Sequence, residues 1–325
     1  MTTSPAGPPR RACTIVVAVL LVLGLALLVA ACGVAGAVGD GGAVGTTASS
    51  DTTATEPAGQ DSTTTEQRAT TTSTSISGSD SVTPTTGGQE MTVNVYFARD
   101  EKMSAAGRVI PQTQGVGATS MRALLAGPTD QERSAGMTSA IPEGTTLLGL
   151  DIKNGIATVD LSKEYASGGG SLSMMMRLAQ VVFTLTQFPS VQGVSFMLDG
   201  KPIDVLGGEG IIIDHAMTRA DYEDMSPAIL VESPTLGATV SSPVRVTGTA
   251  NVFEAVFRIN IVDGDGLIIA DERVQASSGT GTRGIFDVTV KYPSGHAGQG
   301  SLIVFENSAK DGSPINVVEI PIVLK

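Results

Sequence analysis

The chain has 325 residues, with 32 acidic against 20 basic side chains and a formal net charge of -12, which disfavours nucleic acid and anionic lipid surfaces as partners because both demand clustered Lys and Arg. Hydrophobic residues make up 41% but aromatics only 4%, with no Trp, so the core must be aliphatic, and such cores can still pack well. Only Cys13 and Cys32 are present, both near the start, which excludes a disulfide-stapled secreted fold.

Residues 1–31 read as a secretion signal: a Pro-rich start, positive charge at Arg10 and Arg11, then an apolar stretch over residues 14–31. It ends in VAAC, which resembles the bacterial lipobox, an aliphatic residue and two small ones before a Cys. That resemblance implies acylation of the Cys32 thiol and cleavage that leaves Cys32 as the first residue. A single-span anchor over residues 14–31 is the competing reading, although a span has no reason to place Ala-Ala-Cys at its exit. Either way the remainder lies outside the cytoplasmic membrane. The paired arginines are not followed by the Phe-Leu pair of a twin-arginine signal.

Residues 33–89 are almost all Thr, Ser, Gly, Ala, Asp and Glu, as in TTTEQRATTTSTSISGSDSVTPTTGG. Such composition cannot bury enough apolar surface to offset the entropy of ordering, so the sequence predicts a disordered tether. As a flexible coil it spans on the order of 40 Å.

Order begins at MTVNVYFARD, residues 91–100, whose alternation predicts a strand; a polar loop is expected next. ATSMRALLAGPTDQER carries Met121, Leu124 and Leu125 at helical spacing and stops at Gly127-Pro128. In IPEGTTLLGLDIKNGIATVDLSKEY two strands, 146–152 and 156–161, meet at Lys153-Asn154-Gly155, a hairpin signal because Asn and Gly both tolerate positive φ. SLSMMMRLAQVVFTLTQFP then predicts a helix whose apolar face holds Leu172, Met175, Met176, Ala179, Val182, Phe183 and Thr186, with Pro189 past its end. A strand over 194–198 reaches the turn Asp199-Gly200, and a short strand follows over 202–206. The order β-α-β-β-α-β-β indicates an α+β layer with helices packed on one face of a mixed or antiparallel sheet.

From Ala228 onwards no helical periodicity appears. AILVESP, SPVRVTGTA, FEAVFRINIVDGDG, LIIADERVQA, GIFDVTVKYP, GSLIVFENSAKDG and INVVEIPIVLK read as short strands separated by Gly, Pro and Asp turns. The pattern predicts an all-β, immunoglobulin-like sandwich.

The run VYFARD, LLAGPTDQE, SAIPEGT, NGIATVDLS and LAQVVFTLTQFPSVQGVSFMLDG resembles the GerMN domain of sporulation and germination lipoproteins. The tail, with Ser233-Pro234, Gly248, Phe253-Glu254, Phe305-Glu306 and Asp311-Gly312, resembles the immunoglobulin-like domain of bacterial spore germination proteins. Together these resemblances imply an extracytoplasmic, non-catalytic module, and they carry over no catalytic residue.

A Ser or Cys hydrolase requires a base, and only His215 and His296 exist. Asp214 precedes His215, but adjacent residues of an extended segment point to opposite sides, and His296 sits in a Gly-rich loop. Asp160 and Glu164 are the candidate carboxylate pair for sugar chemistry, although Asp160 better suits capping a turn. Asp263 and Asp265 in VDGDGL resemble the start of a calcium loop; Leu267 and Val274 then stand where ligands belong, so a β-turn is the preferred reading. GGEG at 207–210 lacks the strand, helix and lysine of a phosphate loop. Arg219, Asp221 and Tyr222 in MTRADYED, at the junction of the two domains, form either a clasp between them or a partner surface.

The sequence therefore predicts a signal peptide over 1–31, a tether over 32–89, an α+β domain over 90–226 and a β-sandwich over 227–325. It predicts a lipid-anchored protein on the extracytoplasmic face of the cell membrane, without cofactor or metal, that binds or scaffolds cell-envelope proteins or peptidoglycan. The alternative is recognition of a cell-wall glycan or small ligand, leading to sensing or remodelling.

Overall fold

The first ordered element is β1 (Glu90–Arg99), which pairs antiparallel along its whole length with β2 (Lys102–Pro111). The computed structural model of the chain describes residues 89–112, 114–208 and 210–325; the predicted signal peptide, Cys32 and all of the tether but its last residue lie outside them. β2 replaces the polar loop that the sequence predicts after Asp100. KMSAAGRVIP offers Ala, Ser and Gly where strand formers are usual, and its turn is Asp100-Glu101, both at positive φ of 52° and 58°. That is hairpin geometry without the glycine that normally announces it. The strand forms because Met103, Ala105, Ala106 and Ile110 are buried.

α1 (Val116–Leu125) follows as the spacing predicts. A second short helix, α2 (Asp130–Ser134), follows beyond the predicted stop at Gly127-Pro128. It is started by a reciprocal cap in which Glu132 accepts from the Thr129 amide at 2.8 Å and Thr129 accepts from the Glu132 amide at 3.3 Å. Arg108 of β2 reaches the same Glu132 at 2.5 and 2.7 Å. Burial pushes the Glu132 carboxyl up, but the bonds from Arg108 and Thr129 outweigh it and hold its pKa below the ordinary value.

β3 (Leu147–Lys153) and β4 (Ile156–Leu161) pair through Asn154-Gly155, at φ 52° and 82°, which is the predicted hairpin. α3 (Ser171–Leu185) then crosses over to β5 (Gly193–Leu198), which lies parallel to β4, and β6 (Lys201–Pro202) completes the mixed sheet β3-β4-β5-β6. The predicted short strand over 202–206 is instead divided between β6 and β7 (Val205–Leu206), the latter pairing with β8 (Ile211–Ile212). Gly207, Gly208 and Gly210 of the GGEG segment lie in turns between β7 and β8.

α3 departs from its predicted amphipathic face. Leu172 is 46% exposed, whereas Arg177, Gln180 and Thr184 are buried, because the helix lies between the β1–β2 ribbon and the mixed sheet and is enclosed on most sides. Its polar side chains satisfy backbone that has no ladder partner. Thr184 Oγ1 accepts from the Tyr96 amide at 3.3 Å, Gln180 donates to the Tyr96 carbonyl at 3.0 Å, and just past the helix Gln187 both accepts from the Asn94 amide at 2.8 Å and donates to its carbonyl at 2.6 Å. The row Gln180, Thr184 and Gln187 thus serves the N–H and C=O groups that Tyr96 and Asn94, alternate residues of β1, turn away from β2. Arg177 does the same for the loop before α3, donating to the carbonyls of Tyr165, Ser167 and Gly168 at 2.6, 3.0 and 3.0 Å.

The second domain holds β9 (Ile229–Ser233), β10 (Thr239–Val240), β11 (Val244–Ala250), β12 (Val256–Asp263), β13 (Ile268–Gln275), β14 (Gly284–Val290), β15 (Gly298–Asn307) and β16 (Pro314–Leu324). All seven predicted runs are strands, and β10 is an addition. They form two sheets, β10-β16-β15-β12-β13 and β14-β11-β9, around an aliphatic core with Phe257 edge-on to Phe286 at 4.9 Å. The fold is thus an α+β domain followed by an all-β, immunoglobulin-like sandwich.

β9 belongs to both cores. Ile229 and Val231 face the sandwich interior, while Leu230 between them, 3% exposed, packs among the core residues of the α+β domain. The continuous apolar run AILV is therefore a strand buried on both faces, and no solvent layer divides the domains there.

Candidate functional site

Beside Leu230 the seam turns polar. Two residues further along β9, on the same face, is Glu232, a carboxylate after the apolar run, which demands a cation. Arg219 supplies it from the short 3-10 segment Arg219–Met225. Its Nη1 donates to Glu232 at 2.7 Å, Nε to Thr186 Oγ1 at 3.0 Å, and Nη2 to the Tyr96 hydroxyl at 3.1 Å and the Phe183 carbonyl at 3.2 Å. The guanidinium also lies over the rings of Phe183 and Tyr96, at 4.8 and 5.2 Å, where the π-face favours a cation.

The Tyr96 hydroxyl completes the cluster by donating to Glu232. Burial raises the Tyr96 pKa; Arg219 pulls it down and Glu232 pushes it up, and the net effect keeps the phenol protonated and able to donate. Asn94 adds a bond from its side-chain amide to the Glu232 carbonyl at 3.0 Å. Three elements of the first domain thus converge on one strand of the second.

The other residues that the sequence grouped with Arg219 point elsewhere. Asp221 accepts from the Thr218 amide and hydroxyl at 2.7 and 2.8 Å, holding the start of the 3-10 segment. Tyr222 is 1% exposed and inserts into the core of the first domain, so its ring is not available to a partner surface. The three side chains form no common face: Arg219 alone bridges the domains. The sequence reading missed Tyr96, Glu232, Asn94 and Gln187. A lone acid in β9 and a lone tyrosine hydroxyl in β1 were the available signals.

A second set of bonds grips the same junction from its other side. Glu223 accepts from Arg283 at 2.8 Å and Asn251 at 2.9 Å, Arg283 also donates to the Pro227 carbonyl at 2.8 Å, and Lys102 donates to the Asp224 carbonyl at 2.6 Å. Arg99 of β1 reaches the Glu319 carbonyl of β16 at 3.2 Å.

Between the domains lies a cleft of about 860 Å³. Thr92, Asn94 and Tyr96, alternate residues of β1, line one wall with Thr186 and Gln187. Arg245, Thr247 and Thr249, alternate residues of β11, line the other with Ile285 of β14. Arg219 and Glu232 are at its base, and residues 233–235 and 238–241 form its end.

The remaining candidates are placed as follows. His215 stands 3.0 Å from Asp214 and 3.3 Å from Asp221, although strand geometry predicted that Asp214 would point away; the chain bends here instead of running extended. The bonds to Asp214 and then Asp221 raise its pKa. His296, in the Gly-rich loop before β15, bonds to Asp263 at 2.9 Å. Asp263 also accepts from the amides of Asp265 and Leu267 at 3.1 and 3.0 Å, which makes VDGDGL a β-turn between β12 and β13. Asp160 caps Gly200 at 3.0 Å, in the turn after β5. Among the described residues no group of three or more His, Cys, Asp or Glu side chains is arranged to hold a metal.

Comparison with known proteins adds two family matches. Residues 94–204 match Germane, described as "Sporulation and spore germination", and residues 228–313 match Gmad2, the "Immunoglobulin-like domain of bacterial spore germination". Lipoprotein LpqB of Thermobifida fusca (strain YX) is 32% identical over 111 residues, which are 34% of this chain and 17% of LpqB. The chain thus spans about a sixth of the curated relative it matches. Among solved structures, the first GerMN domain of the sporulation protein GerM from Bacillus subtilis is 23% identical, covers 40% of this chain and 99% of that domain, and has a TM-score of 0.34. A putative lipoprotein from Clostridium perfringens is 26% identical, over 41% of this chain and 89% of its own, with a TM-score of 0.31.

Proposed function

We propose, from the premise that this chain carries a Germane domain joined to a Gmad2 immunoglobulin-like domain, that it is a sporulation- and germination-type envelope lipoprotein whose two domains act together as a non-catalytic binding or scaffolding module. Its attachment is a lipid on Cys32, on the extracytoplasmic face of the membrane. The VAAC sequence and the likeness to LpqB support that anchor.

The observation that carries the binding reading is the seam. Arg219, Glu232 and Tyr96 are spent on fastening the domains, and β9 contributes to both cores. The pair is a rigid platform whose outer surfaces keep a fixed geometry, and fixed geometry lowers the entropic cost of holding a partner. Both matched families are described by sporulation and germination, not by a reaction.

Crosslinking in intact cells followed by mass spectrometry tests the scaffold. Envelope proteins should be recovered with the chain; recovery of wall glycan alone would overturn it. A Cys32→Ala variant should lose metabolic palmitate label, and label that persists would sink the anchor. A second reading, recognition of wall carbohydrate, is favoured by the cleft between the domains.

A further inference from the structure

We infer that the interdomain cleft is a binding site for an uncharged, polyhydroxylated chain of the carbohydrate class. The inference rests on the second reading above and gives it a location and a ligand chemistry. The volume of about 860 Å³ is that of a ligand site, at the upper end of the usual range. The base of the cleft is preformed, because Arg219, Tyr96, Glu232 and Gln187 are held by the bonds already described.

Charge comes first. The cationic and anionic groups at the cleft occur as pairs: Arg219 with Glu232 at 2.7 Å, and at the rim Arg245 with Asp287 at 2.6 and 2.8 Å. A site with balanced charge offers a strongly ionic ligand no net attraction.

Hydrogen-bonding capacity comes second. Thr92, Thr235, Thr239, Ser241 and Thr247 all line the cleft, and among the described residues their hydroxyls have no protein partner. Each hydroxyl both donates and accepts, which is the complement of a ligand whose own groups are hydroxyls. Thr247 and Thr249 follow Arg245 at two-residue steps along β11, as Asn94 follows Thr92 along β1. Two polar rows with a repeat of about 6.8 Å therefore face each other, which suits a chain molecule.

A peptide that binds by strand pairing is disfavoured by the same geometry. That mode needs a run of unpaired backbone, and Thr92 aside most of the backbone around the cleft is taken. Asn94 and Tyr96 are bonded by Gln187, Thr184 and Gln180; the Glu232 carbonyl is bonded by Asn94; Ile285 exchanges bonds with Ser277 at 2.9 and 2.9 Å. β10, the remaining edge at the rim, is two residues long. No exposed aromatic platform lines the cleft, so affinity is modest.

Saturation-transfer NMR on the full chain in detergent micelles tests this, with chitotetraose as the probe and polyglutamate and a Ser/Thr-free peptide as controls. Transfer is expected to chitotetraose alone. The near-isosteric pair Thr92→Val and Thr247→Val should weaken it at least tenfold with an unchanged melting temperature, and Arg245→Gln provides a second variant should the pair unfold. No transfer at millimolar sugar, transfer unaffected by both variants, or equal transfer to the peptide would each overturn the site. Protein crosslinks in cells would survive any of these results, so failure of the site is separable from failure of the scaffold.

Discussion

At Gly248 a single missing methyl group decides whether β11 can lie against β9, the strand that serves both cores. A Cβ there would stand 2.0 Å from the Leu230 carbonyl oxygen and 2.7 Å from the Phe286 ring, at the point where the β9–β11 register shifts. Backbone cannot yield as a flexible side chain does, so Gly248→Ala should cost about 3 kcal/mol or more; an unchanged denaturant midpoint would contradict the packing. Arg219 offers a second test. Arg219→Lys keeps the charge but not the planar fork that serves four acceptors, and with the side chain only 25% exposed a loss of about 2 kcal/mol is expected, read as a lowered Tm. His215 gives a pH test. Its pKa is raised by Asp214 and Asp221, so its charged form adds stability that is fully present below the unfolded value of about 6.5 and is lost as pH rises through the higher folded value. An NMR titration should place the His215 midpoint above that value, and Asp221→Asn should lower it.

Among the elements, α3 and β2 are where sequence reading and structure part. A helix with Arg177, Gln180 and Thr184 inward violates an apolar-face rule, yet each of these side chains bonds backbone groups outside its own helix. Periodicity records which residues are apolar, and it has no means of recording that a neighbouring strand lacks a ladder partner. β2 was illegible for a related reason: its Ala and Ser side chains are small because they lie close to packed neighbours, and small residues carry little strand signal. The hairpin at Asn154-Gly155 was legible because its turn chemistry is local. The edge-sealing role of α3 has a direct test. Thr184→Val removes the acceptor for the Tyr96 amide while keeping shape, and should cost about 1–2 kcal/mol with faster hydrogen exchange at that amide. Slow exchange in the variant would mean that some other group satisfies it.

For the molecule as a whole, β9 makes the two domains one cooperative unit. Leu230 serves the first core while its neighbours serve the second, and the Arg219 cluster closes the polar side of the same seam. Thermal unfolding of the folded part should therefore show a single transition. Leu230→Ala should lower that transition for both domains together, by about 3 kcal/mol; two separate transitions in the unaltered chain would refute the coupling. Of the candidate site, the sequence pointed to Arg219 at the junction and to nothing else that lines the cleft. Tyr96 and Asn94 lie more than a hundred residues before Arg219 and Glu232 follows it by 13, and their meeting is a property of the seam.

By itself the sequence determined what is local: the VAAC motif and its likeness to a lipobox, the Thr/Ser-rich composition before the folded part, the strand and turn rhythm of the sandwich, and the two family resemblances. Each depends on residues a few positions apart, whose spacing carries the physics. Only the tertiary structure decided that β9 is shared between two cores, that α3 seals a strand edge with polar groups, and that a balanced, hydroxyl-lined cleft lies between the domains. Those features arise where residues distant in the chain exclude water from each other's backbone and charges, and no spacing along the chain encodes that.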